Sequence, residues 1–165
     1  FDEFAPYQGG GSMIHNVKID KTTFAKGFQK FEAGTPPIAE VIGLGSSIDF
    51  VNSLNLISIF KHEKYLHEYT VEKLRSLNDI TIYGNGLSKG AIISFNISGI
   101  HANDLAMILD QRNIAIRTGH HCAQPLMKYL DITSSARASF GVYNNKNDVD
   151  MFVNSLLEAK KFLTE

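Results

Sequence analysis

Several features that would each fix a class of protein are scarce or missing from this sequence. There is one cysteine, Cys122, so no intramolecular disulfide framework can form. A lone thiol suits a reducing compartment, and a cytoplasmic location is expected. No apolar run is long enough to span a bilayer, and no basic-then-apolar leader is present, so a membrane is not an expected partner. Charge of one sign is missing too: 16 basic and 17 acidic residues leave a net charge of −1. Without a basic stripe, nucleic acid is not an expected partner either. The chain holds no internal repeat and no low-complexity tract. It opens on Phe1, in the turn-rich stretch FDEFAPYQGGGSMI, without an initiator methionine. A piece of a longer protein, cleaved or trimmed, is therefore expected.

What is present is globular in composition. With 165 residues, 44% of them hydrophobic and 20% charged, the chain can build one ordinary core and is too apolar for disorder. Residues 1–35 read as irregular, apart from Gly9, Gly10 and Gly11 and a hairpin expected from 13–19 and 22–28. Apolar periodicity there is too weak for independent folding, so this region is expected to lean on an absent segment or a partner subunit. Thr35-Pro36-Pro37 then opens a helix, because threonine is a good N-cap and proline at the first helical position sacrifices no needed donor. Ile38, Val41, Ile42, Gly45 and Ile48 fall on one face of that helix. A second helix is predicted over 56–77, with Leu66, Thr70, Leu74 and Leu77 at helical spacing.

Strands follow at 80–83 and 91–97, with a Gly-Asn-Gly turn at 84–86. Residues 103–112 read as a helix with Leu105, Ile108 and Leu109 inward and Asp104 at its positive end. A short strand at 114–117, a loop around Cys122 and a strand at 137–142 come next. A last helix starts near Asn145, with Val149, Phe152, Val153, Leu156 and Leu157 on one stripe. This order predicts an α+β domain, helices packed on a small, mainly antiparallel sheet.

The segment that carries chemistry is RTGHHCAQPLM, residues 117–127. Free cysteine is among the most buried residue types, so an inert core thiol is one reading of Cys122. Against it, Cys122 follows a strand and a glycine, is preceded by His120 and His121, and has Arg117 close in sequence. Cationic neighbours favour the thiolate, the nucleophilic form of the group. A metal site is a third reading. It is poorly supported, since three adjacent side chains rarely converge on one tetrahedral ion and His15, His62, His67 and His101 add no ligand spacing.

RTGHHCAQPLM, followed by SSARASFGVYN and a helix of the type NDVDMFVNSL, resembles the C-terminal signature of SufS-type (group II) cysteine desulfurases and selenocysteine lyases. PYQGGGSMI and KFEAGTPPIAEVIGLGSSIDFV are similar to the same family in the same order. The longer, serine-rich cysteine loop of the NifS/IscS type is absent. The resemblance implies the aspartate-aminotransferase fold (PLP fold type I). Residues 1–50 would be the end of its large domain, and 51–165 its C-terminal small domain. It also implies a pyridoxal 5'-phosphate (PLP) enzyme, usually a homodimer, that converts L-cysteine to L-alanine and feeds iron–sulfur cluster assembly through a SufE- or SufU-type acceptor.

By the same resemblance, Cys122 is the nucleophile that becomes a persulfide, and Arg137 binds the substrate carboxylate. Arg117 is a second active-site arginine, and Thr35 reaches the PLP phosphate of the opposite subunit. Gly9, Gly10 and Gly11 would lie near the dimer interface. A hydroxyl cap at a helix N-terminus is independently a reasonable anion site, although simple capping explains Thr35 as well. One departure matters. The family's Schiff-base lysine lies in a Ser-x-His-Lys pattern, and none of Lys18, Lys21, Lys26, Lys30, Lys61 or Lys64 has that context. The isolated chain is therefore expected to be inactive and to hold PLP weakly, without an aldimine. A non-catalytic sulfur-carrying or acceptor-docking module, and selenocysteine lyase activity on the same scaffold, remain as alternatives.

Overall fold

In the computed structural model, which describes residues 1–84, 86 and 90–164, the chain divides into two units, Phe1–Ser53 and Leu54–Glu165. Asn85 of the expected Gly-Asn-Gly turn lies outside the described residues. In the first unit β1 (Ile14–Val17) pairs antiparallel with β2 (Thr22–Phe24), a shorter hairpin than expected. Met13, just ahead of it, is fully buried, and its carbonyl accepts from the Ala25 amide at 2.8 Å. Gly10 passes so close to Ala33 that a Cβ at position 10 would sit 2.9 Å from the Ala33 Cβ, which excludes a larger residue without a shift.

Helix α1 (Ile38–Ser53) starts later than Thr35-Pro36-Pro37 predicts. Pro36 precedes another proline and is therefore pushed out of the helical region, so regular helix begins only after Pro37. Thr35 is exposed, and among the described residues its side chain makes no hydrogen bond; it does not cap α1. The expected inward face of α1 is also absent, for no residue of the helix is buried. Ile38, Val41, Ile42, Leu44, Ile48, Phe50 and Val51 are all exposed. Apolar residues lie around much of this helix rather than on one stripe, the pattern of a helix meant for a fuller enclosure than its own unit provides.

The second unit is a four-stranded sheet with its three longer helices packed on one face. Helix α2 (Leu56–Arg75) is capped by Asn55, whose Oδ1 accepts from the amides of Ile57 at 3.1 Å and Ser58 at 3.2 Å. Leu66, Thr70 and Leu74 are buried as their spacing requires, and Leu77 is half-buried against the same core. Strands β3 (Ile80–Tyr83) and β4 (Ile92–Ile97) pair antiparallel, with Ile80 facing Ile97. Helix α3 (Ala102–Asp110) buries Leu105 and Leu109. The turn after it closes at Asn113, which takes a left-handed φ of 59° while the Ile114 amide returns to the Leu109 carbonyl at 3.0 Å. Because residues 113–114 terminate the helix, β5 forms at Arg117–Gly119 and not at the expected 114–117.

A short helix absent from the sequence reading, α4 (Gln124–Tyr129), follows Cys122 with Pro125 in its first turn. Strand β6 (Ser135–Ser139) stops before the expected end at 142, because Gly141 and Asn144 form a closed turn. Helix α5 (Lys146–Thr164) buries Val149, Phe152, Val153, Leu156 and Ala159, whereas Leu157, expected inward, is exposed. It is tied to α2 where the Tyr69 hydroxyl donates to Asp150 at 2.7 Å and Lys73 pairs with the same carboxylate at 2.8 Å.

The sheet runs β3-β4-β6-β5, antiparallel throughout. Residue alternation sorts its faces. Ile93, Phe95, Ile97, Ala136 and Ala138 turn to the core shared with α2, α3 and α5, and Ser94, Ser135 and Arg137 alternate with them. The ring of Phe95 meets that of Phe152 edge-on at 6.0 Å. Phe95→Ala should lower stability by about 3–5 kcal/mol, the usual range for a buried phenylalanine. Urea denaturation followed by far-UV circular dichroism checks this; a loss under 1 kcal/mol would mean that Phe95 is not central to the core.

Candidate active site

Strand pairing brings two arginines together. Arg117 of β5 stands directly opposite Arg137 of β6, Thr118 opposite Ala136, and Gly119 opposite Ser135. Directly opposed residues share a face of the sheet, and like charges in that position are unfavourable unless an anion lies between or beside them. The Arg137 Nε is buried and has no hydrogen-bond partner among the described residues. Buried donors are usually paired, so this one is open to an acceptor from outside the described residues. Arg137 lines a hollow of about 410 Å³ together with Tyr83, Ile92, Ser94, Leu126 and Met127.

Cys122 is exposed, on the turn between β5 and α4. The Arg117 Nη2 lies 3.6 Å from its sulfur. Thus Cys122, Arg117 and Arg137 occupy one corner of one sheet, as their sequence neighbourhood alone could not guarantee. A recess of about 610 Å³ opens around Cys122, lined also by Arg117, His120, Gln124 and Pro125.

The turn is held in an uncommon conformation. Gly119 has φ 110°, His121 53° and Cys122 58°, all in the region that L side chains avoid. It is closed by the Ala123 amide donating to the His120 carbonyl at 2.9 Å. His121 does not act as the free cation that its place beside Cys122 suggests. Its Nε2 lies 3.0 Å from both the carbonyl oxygen and the hydroxyl of Ser135. A carbonyl only accepts, so Nε2 carries the proton and donates. Burial holds the imidazole pKa below its ordinary value, and the guanidinium charges of Arg137 and Arg117 and the nearby His120 push the same way against the Ser135 bond. His121 is therefore neutral near pH 7, and the positive charge beside the thiol comes from Arg117. Neither His121 nor Ser135 was singled out in the sequence for this contact; only the fold brings residues fourteen apart within bonding distance.

Thr35 belongs to the first unit and is exposed ahead of α1. Among the described residues, no three His, Cys, Asp or Glu side chains are grouped to hold a metal ion. No single described helix is long and apolar enough to cross a membrane.

An α+β sheet with a strained cysteine turn and paired arginines sits within a wider match to known proteins. The profile of the class-V aminotransferase family covers residues 1–152, and the chain belongs to that family. Cysteine desulfurases are among its relatives. A protein of Halalkalibacterium halodurans named as a probable cysteine desulfurase is 44% identical over 161 residues, which is 98% of this chain and 39% of that protein. The crystal structure of the cysteine desulfurase CsdA from Escherichia coli superposes with a TM-score of 0.83 at 32% identity, over 96% of this chain and 39% of that one. The apo cysteine desulfurase of Thermococcus onnurineus also gives 0.83, at 38% identity, over 98% of this chain and 41% of that one. The fold is thus that of the PLP fold type I cysteine desulfurases, and the chain spans about two fifths of the length of the relatives it matches.

The left-handed turn yields a direct expectation. A Cβ at Gly119 would meet nothing within 4 Å, so Gly119→Ala tests backbone strain and not space. It should cost about 1–3 kcal/mol in chemical denaturation and alter the rate at which iodoacetamide alkylates Cys122. Unchanged values of both would show that the turn relaxes without glycine.

Proposed function

We propose that this chain is the C-terminal part of a PLP-dependent, SufS-type cysteine desulfurase, with 1–50 ending the large domain and 51–165 forming the small domain. The observation that carries the proposal is the pair Arg117 and Arg137 facing each other across β5 and β6, with Cys122 hydrogen-bonded to the first. An amino acid brings one carboxylate. The planar guanidinium of Arg137, with its unpartnered buried Nε, suits a two-pronged grip on that group. Arg117 adds charge beside the thiol and orients it.

The reaction requires a sulfur nucleophile on the chain, and Cys122 is the only thiol. Its thiolate forms a bond to the sulfur of L-cysteine while the substrate's carbon–sulfur bond breaks. The electron pair of that bond stays with the carbon skeleton, which takes a proton to become L-alanine, and Cys122 is left as a persulfide. Bound PLP would supply the sink that makes the carbon able to accept that pair. Residues of this chain fit only the anionic end of the cofactor. The exposed Thr35 hydroxyl ahead of α1 would contact the phosphate held by the opposite subunit of a homodimer, and no lysine stands in a Schiff-base context. The exposure of Cys122 suits delivery of sulfur to a docked SufE- or SufU-type acceptor for cytoplasmic iron–sulfur cluster assembly.

Two substitutions in the full-length parent test the assignment. Cys122→Ser should abolish alanine release from L-cysteine while leaving PLP absorbance intact, because the thiol acts on the substrate sulfur and not on the cofactor's anchors. Retained alanine release would remove Cys122 from the mechanism. Arg137→Lys should raise KM about ten- to a hundredfold, since losing charged hydrogen bonds removes about 1.5–3 kcal/mol of binding. Arg137→Ala should be worse. An unchanged KM in both would pass the carboxylate to Arg117.

A further inference from the structure

The reacting groups of this site sit on two different pieces of backbone: Arg137 on a sheet strand and Cys122 on a turn that is strained on its own. We propose that His121 is the positioning residue that joins them, anchoring the Cys122 turn to β6 through Ser135 and so holding the sulfur against Arg117. This rests on the reading of Cys122 as the sulfur nucleophile.

The turn needs an anchor. His121 and Cys122 are consecutive non-glycine residues with positive φ, a conformation in which the Cβ crowds the following carbonyl oxygen. Such conformations persist only where surrounding contacts over-determine them. The backbone supplies one bond across the turn, from the Ala123 amide to the His120 carbonyl. Among the described residues the side chains of 119–123 supply two more contacts, Arg117 to Cys122 and His121 to Ser135. The first joins the turn only to its own neighbouring strand, through the exposed side chain of Arg117. The second crosses to a buried residue of β6. Ser135 is buried, lies on β6 opposite Gly119, and stands two residues from Arg137 on the same face of the sheet.

His121 also lines both hollows, the one beside Arg137 and the one around Cys122, and is the only described residue common to them. His121 therefore stands between the group expected to hold the carboxylate and the group expected to take the sulfur. A side chain in that place sets the spacing between them. His120, one residue earlier, is exposed and makes no such contact, which separates the roles of two adjacent histidines.

A double-mutant cycle on Cys122 alkylation tests the inference without requiring any turnover. Iodoacetamide rates are measured by intact mass for the full-length parent and for Arg117→Ala, each with His121 unchanged, His121→Ala or His121→Gln. If His121 holds the sulfur against Arg117, Arg117→Ala changes the rate about threefold or more in the unaltered protein and has no further effect once His121 is alanine. Glutamine, whose amide nitrogen can occupy the Nε2 place and donate to the Ser135 carbonyl, should restore the Arg117 effect. In the same proteins His121→Ala should lower kcat for alanine release about tenfold or more with little change in KM, and His121→Gln should recover most of it.

An Arg117 effect that persists undiminished in His121→Ala would overturn the proposal, as would no Arg117 effect at all or no recovery with glutamine. If the alanine variant does not fold, the glutamine variant alone decides: loss of the Arg117 effect there counts against the proposal. Alkylation coupling with no alanine release from the unaltered parent would sink the desulfurase reading and leave the anchoring role standing.

Discussion

The pairing of β5 with β6 is the constraint from which the site follows. Only three residues of β5 take part, yet they set Arg117 against Arg137 and Gly119 against Ser135. A strand shifted by one residue would turn its whole side-chain set to the other face. For β6 that slip would drive Arg137 into the layer now filled by Ala136 and Ala138, beneath α3 and α5. Burying an unpaired guanidinium there is far costlier than burying alanine, so the register is enforced by the core as much as by the backbone ladder. The small size of Ala136 and Ala138 has its own reason: Phe95, Phe140 and Phe152 pack edge-on in the same layer and take up the available space.

Much of this was legible from spacing. The burial stripe of α2, the inward Leu105 and Leu109 of α3, and the strands at 80–83 and 92–97 all follow from apolar periodicity, which reports how a segment meets a core. The misplaced boundaries share another cause. Pro36 before Pro37, Asn113 after α3 and Gly141 before Asn144 are local backbone decisions, and each moved an element's edge by two or more residues without altering its kind. Helix α4 leaves no trace in the pattern, because six residues are too few for periodicity to register.

The site was legible as a list of residues and not as an arrangement. Cys122, Arg117 and Arg137 stand out by type and by motif, but their convergence depends on an antiparallel register that no local pattern encodes. The His121–Ser135 contact could not be read at all. In sequence His121 is simply the second of two histidines beside a cysteine, and the natural inference was a pair of cations. The fold divides them, leaving His120 in solvent and turning His121 onto a buried serine. Helix α1 shows the opposite limit: the spacing of Ile38, Val41, Ile42, Gly45 and Ile48 puts them on one face, yet no residue of the helix is buried.

Keeping His121 neutral has an electrostatic consequence. Two guanidiniums already share one face of two short strands. A third cation wedged at the turn would add repulsion with both, in a place where burial penalises charge and weakens screening. The depressed imidazole pKa avoids this, and it leaves Nε2–H as a neutral donor suited to a carbonyl. What remains is a local charge of two, facing a hollow and a thiol. That charge is what the proposed reaction would need to hold a substrate carboxylate beside the Cys122 sulfur. The turn's unfavourable backbone and the opposed arginines are then parts of one arrangement, which the proposed pairing of a nucleophile with a substrate's anion would account for.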